Sequence, residues 1–109
     1  MSFVLGSIRL FYLTQLKNDL QYKIMLINES KMDMARSITD LMSVGTDLDS
    51  ENPIIKDMKA RRDKLELMVK QLDAQLEIYK SKMQAVDTEI QGVREEIKNS
   101  AQIEFRIGL

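Results

Sequence analysis

The sequence predicts an all-α protein, a long antiparallel two-helix hairpin of coiled-coil type, with residues 1–109 forming a single helical-hairpin domain. Three observations predict it. From Leu65 an apolar residue recurs at alternating spacings of four and three through Val69, Leu72, Leu76, Tyr79, Met83, Val86, Ile90, Val93 and Ile97, with Met58 before it and only Arg62 interrupting. A stripe that repeats every 3.5 positions keeps one seam of a helix facing a partner helix. A second helical pattern precedes it, and the run Gly-Thr-Asp-Leu-Asp-Ser-Glu-Asn from Gly45 to Asn52 separates the two with turn and cap formers. Composition agrees: hydrophobic residues make up 44% and aromatics only 6%, with 4 Gly and 1 Pro, which suits long helices.

The first helix is expected over about residues 3–44. Leu13, Leu20, Ile27, Met34, Leu41 and Leu48 repeat every seven, and Leu10, Lys17, Ile24, Lys31, Ile38 and Gly45 form a companion row. Lys17 and Lys31 occupy places where apolar residues belong, and a polar residue at a seam fixes register or partner choice at some cost in stability. Gly45 can take the left-handed conformation that ends a helix. Asn52 followed by Pro53 reads as N-cap and first helical residue, because proline's missing N–H is no loss in a first turn. The second helix is expected over about residues 53–100.

The two seams match under one offset. Setting Leu41 beside Met58 and stepping by heptads in opposite directions brings Met34 to Leu65, Ile27 to Leu72, Leu20 to Tyr79 and Leu13 to Val86. The companion row then sets Ile38 by Arg62, Lys31 by Val69, Ile24 by Leu76, Lys17 by Met83, Leu10 by Ile90 and Phe3 by Ile97. The charged intruders are expected to lay their stems along the seam and carry their heads to water or neighbouring carboxylates, with register control as the sharper reading. Beyond Ile97, the apolar residues Ile103, Phe105, Ile107 and Leu109 alternate with Gln102, Glu104, Arg106 and Gly108. That period of two fits a half-buried strand, against an equally weighted continuation of the helix.

The outward positions of a lone hairpin ought to carry its charges. Here they do not. Opposite the seam the second helix shows Leu67, Gln71, Ala74, Ile78, Ser81, Ala85, Thr88, Gly92 and Asn99, and the first shows Phe11, Thr14, Asn18, Gln21, Met25, Asn28, Met32, Ala35, Thr39 and Met42. Small residues allow close helix approach and Met adapts to irregular surfaces. Gly92, with Gly6 expected near it, stands out because glycine inside a helix costs about 1 kcal/mol relative to alanine. The candidate partner or oligomer face is therefore Phe11, Met25, Met32, Leu67, Ala74, Ile78, Ala85 and Gly92, extended by Ile103, Phe105, Ile107 and Leu109.

Chemistry is bounded by what the chain lacks. With no His and no Cys there is no thiol nucleophile, imidazole base, disulfide or usual zinc site. Asp47, Asp49 and Glu51 invite comparison with a calcium loop, but Asn52 and Met58 stand where that loop needs Gly and Glu. No catalytic, cofactor-binding or metal residue is assigned, and an enzyme is not expected. A net charge of -1 gives no nucleic-acid footprint. The apolar stretch Phe3, Val4, Leu5, Ile8, Leu10, Phe11 and Leu13 could lie on a membrane surface, but only Arg9 and Lys17 supply basic charge, so membrane contact is not expected. It is also too short to span a bilayer, which takes about 20 residues, and lacks the basic region of a signal peptide.

In architecture, two helices joined by a short turn ending in Asn52-Pro53, the chain resembles the needle subunits of type III secretion systems, as do other small coiled-coil proteins. It is longer than those subunits and shares no motif beyond the turn, so no family membership follows. The expected function is a non-enzymatic structural protein, a self-associating hairpin that packs into a higher oligomer or filament-like assembly. The alternative is a coiled-coil adaptor or secretion-chaperone-like module that binds a partner protein's helix.

Overall fold

Asn52 starts the second helix by two hydrogen bonds. Its side-chain Oδ1 accepts from the Ile54 N–H at 2.9 Å, and its carbonyl accepts from the Lys56 N–H at 3.1 Å. The first satisfies a donor that a helix N-terminus otherwise leaves open, and Pro53 needs no such partner. The computed structural model describes residues 3–44 and 51–108, and the side chains of 3–43 and 51–106. It is a helical hairpin of two long helices, α1 over Phe3–Val44 and α2 over Pro53–Gly108, with no strand among the described residues. The expectations placed on Gly45, Leu48, Asp47, Asp49 and Leu109 lie outside the described residues.

α2 runs past the expected end near residue 100, so the strand reading of the tail is replaced by helix. Alternation in Ile103 and Phe105 cannot by itself make a strand. An extended segment needs a neighbour for its N–H and C=O groups, whereas a helix pairs them internally. Both side chains are exposed, Phe105 by 69%.

The chain divides into two compact units, one of residues 1–23 and 79–109, the other of residues 24–78. In the first, Leu13, Leu20, Val86, Ile90 and Val93 form a buried cluster, with Leu10, Leu16, Tyr79, Met83 and Ile97 packed against it. It contains both members of the expected pairs Leu13–Val86, Leu20–Tyr79 and Leu10–Ile90. Full burial of each such side chain stabilises by about 1.5–3 kcal/mol. Tyr79 also lies under two ammonium groups, Lys23 Nζ at 5.7 Å and Lys82 Nζ at 5.8 Å from its ring centre, within cation–π range.

In the second unit Ile27, Leu76 and Ile55 are buried, while Met34, Leu41, Met58, Leu65, Val69 and Leu72 are half-buried. Ile55 extends the seam one step before Met58. Here fewer of the seam side chains are fully buried.

The intruders behave as their stems suggest. Lys17 reaches Asp87 at 2.8 Å, one turn beyond the expected neighbour Met83. Lys31 pairs with Asp73, again one turn beyond its expected neighbour Val69. Arg62 reaches Asp63 at 3.2 Å and Glu66 at 3.9 Å, yet its Nε is buried without a hydrogen bond.

Candidate assembly faces

A helix buries one stripe against its partner and leaves the opposite stripe to water, so the outer row must be judged by what it offers. Each residue of the outer row on α1, from Phe11 to Met42, is exposed. So is each residue of the α2 row from Leu67 to Asn99. Phe11, Met25, Met32, Leu67 and Ile78 are among the large apolar side chains left in solvent, with Ile78 54% exposed. Ala74, Ala85 and Gly92 lie on the same α2 row. Ile107 belongs to the α2 backbone.

Charge is absent from these rows because it is used beside the seam. The α2 carboxylates Asp73, Asp87 and Glu89 pair with Lys31, Lys17 and Arg9 respectively, the last at 3.6 Å. Each pair is partly exposed, so each contributes about 0.2–1 kcal/mol and serves alignment more than stability. The uncharged backs are what remains.

The threonine hydroxyls on the backs are already bonded within their own helices. Thr14 donates to the Leu10 carbonyl at 2.8 Å, Thr39 to Ala35 at 3.0 Å and Thr88 to Gln84 at 3.0 Å. A hydroxyl with an internal acceptor can be covered by a neighbouring helix without leaving an unsatisfied donor, a loss that otherwise costs about 1–3 kcal/mol.

The two glycines part company. Gly6 is buried, whereas a Cβ built on Gly92 meets nothing within 4 Å. Gly6 shares the seam side of α1 with Leu10 and Leu13, four and seven residues on, while Gly92 lies on the α2 back. Among the described residues nothing requires glycine at position 92.

Two grooves flank the seam, one in each unit. In the second unit Leu41, Leu65 and Met68 lie beneath a rim of Ser37, Asp40, Arg61 and Lys64, in a groove of about 610 Å³. In the first, Thr14, Lys17, Asn18 and Gln21 face Asp87, Ile90, Gln91 and Arg94 across about 450 Å³. Among the described residues no three acidic side chains are grouped as metal ligands would be, and no helix is long and apolar enough to cross a membrane.

Comparison with protein-family models, curated proteins and solved structures finds no match to this chain. The faces must speak for themselves.

One group of residues was only partly anticipated. Val4, Leu5, Ile8 and Tyr12 are exposed beside Phe11, whereas Leu13 is buried and Leu10 half-buried. Grouping all of these as one membrane-facing stretch is therefore corrected: Leu10 and Leu13 belong to the core. The signal lay in rotation about the helix, which sends Val4, Ile8 and Phe11 to one side and Leu10 and Leu13 to the other.

Proposed function

We propose that this chain is a non-enzymatic assembly protein, a helical hairpin whose copies pack laterally through their uncharged outer faces into a higher oligomer or filament-like array. One observation carries the reading. Each helix has a second row, exposed along its length, without charge and with threonine hydroxyls bonded internally. A face facing only water gains from charge and has no need of such economy. The partner is a second copy or another helical protein, with no role for nucleic acid.

The test separates the faces. Ala74→Glu, Ile78→Glu and Ala85→Glu combined should leave the chain helical by circular dichroism and disperse the oligomer in light scattering. Leu72→Asp, at a half-buried seam position, should unfold it. Equal effects from the two would mean that the faces are misassigned.

The groove over Leu41 and Leu65 favours a second reading, an adaptor that receives a different protein's helix. Its apolar floor and mixed-charge rim suit an amphipathic helix. Light scattering over a concentration series distinguishes them: a helical monomer at every concentration supports the adaptor and removes the assembly.

A further inference from the structure

Between Phe3 and Gln15 the sole charged residue of α1 is Arg9, and the helix is apolar on two opposite sides. One side holds Gly6, Leu10 and Leu13 against α2. The other holds Val4, Leu5, Ile8, Phe11 and Tyr12, each between 61 and 67% exposed. At 100° per residue these five span a stripe about 120° wide, centred on Ile8. A helix apolar all round belongs in an interior.

We infer that this stripe pairs with the same stripe of a second copy, the two α1 helices crossing antiparallel about a two-fold axis at Ile8. The inference rests on the assembly reading and adds one interface to it. Three observations choose this occupant.

The first is area. Five aliphatic and aromatic side chains so exposed present roughly 600 Å², so two copies would bury about 1,200 Å², the lower end of a specific interface. The second is self-complementarity. A two-fold axis at Ile8 sets Val4 against the second copy's Tyr12 and Leu5 against its Phe11, so a smaller side chain meets a larger one at each step. A surface that matches itself is what an isologous dimer requires. The third is charge. The stripe's flanks are Ser7, whose hydroxyl already donates to the Phe3 carbonyl at 2.9 Å, and Arg9, which lies 3.6 Å from Glu89. Neither loses a needed partner on burial, and neither offers the basic face by which a surface helix holds anionic lipid.

The chain has no cysteine, so a single one reports its neighbour without ambiguity. Helices packed 8–10 Å apart bring residues on a two-fold axis within the roughly 4.4–6.8 Å Cα separation of a disulfide, and flank residues stay beyond it. Ile8→Cys, Ser7→Cys and Ile78→Cys are each oxidised, and Ile8→Glu is weighed by light scattering beside the triple glutamate variant of α2. The expected result is that Ile8→Cys forms a covalent dimer faster than Ser7→Cys, and that Ile8→Glu loses this pairing while remaining helical. The triple variant should retain a dimer. If Ile8→Cys is no faster than Ser7→Cys, or Ile8→Glu keeps the full oligomer, the inference is overturned. Dispersal by the triple variant alone, with rapid Ile78→Cys crosslinking, would then leave the assembly reading standing through α2. A wild-type monomer at every concentration would end both, and flotation of that monomer with phosphatidylcholine vesicles, lost in Ile8→Glu, would give the stripe to a lipid surface.

Discussion

Replacing Gly92 with alanine separates the needs of one chain from the needs of an assembly. Among the described residues of the single chain the new methyl meets nothing within 4 Å, so it introduces no clash there. Residue 92 lies well inside α2, where alanine is favoured over glycine by about 0.8–1.0 kcal/mol. The isolated chain should therefore gain about that much, seen as a higher urea midpoint at unchanged slope and a melting temperature raised by roughly 4–8 °C. The measurement is made at the lowest concentration that gives a circular dichroism signal, then repeated where the chain is oligomeric. If a neighbouring helix packs closely on the α2 back, the methyl intrudes there, and the gain should shrink or reverse as concentration rises. A loss of stability in the dilute chain would refute the geometry, because something would then have to touch position 92 within one copy. A gain of equal size at all concentrations would show that no neighbour sits close to Gly92.

Three further experiments probe the seam and the turn. Arg62→Leu removes a buried Nε that has no hydrogen-bond partner and puts an apolar stem at a seam position, so it should raise stability by about 1–3 kcal/mol in urea unfolding. Asn52→Ala removes the acceptor for the Ile54 N–H and should cost about 1 kcal/mol; no change would mean that this bond does not cap α2 in solution. A double-mutant cycle on Lys17→Ala and Asp87→Ala should give a coupling of about 0.2–1 kcal/mol that fades at 1 M salt, as befits a pair 34 and 41% exposed.

How much of this could be read from the sequence follows from what each signal depends on. The hairpin was legible because the seam on α2 is unbroken apart from Arg62, and because Asn52-Pro53 marks a helix start by chemistry local to two residues. The pairing was legible because two seams must agree along their whole length. Ile55 escaped because the seam was begun at Met58, although Ile55 stands three residues earlier in the same phase. The tail stayed open between strand and helix because alternation records only a period, and nothing in Ile103 or Phe105 says whether a strand partner exists. In the N-terminal segment hydrophobicity was plain but its partition was not. A helix apolar all round shows no face until a partner is placed, so Leu13 and Ile8 look alike in the sequence and differ in the structure. Gly6 and Gly92 illustrate the same point: the one is covered, the other open.

The cations at the seam's edge bear on how the chain avoids error as it folds. Apolar heptads are interchangeable, so a hairpin mispaired by one repeat would still set leucines and isoleucines against one another and could linger. Counting along the chain from the observed Lys17–Asp87 contact, a slip of seven residues would bring Lys17 to Lys80 in one direction and to Arg94 in the other. Both encounters replace attraction by repulsion, and the second also carries Lys31 from Asp73 to Lys80. The first slip keeps only Lys31 at a carboxylate, now Glu66, and the second keeps neither lysine latch. A wrong zipper thus holds less firmly and reopens to try again, while the correct one closes with Lys17 at Asp87 and Lys31 at Asp73.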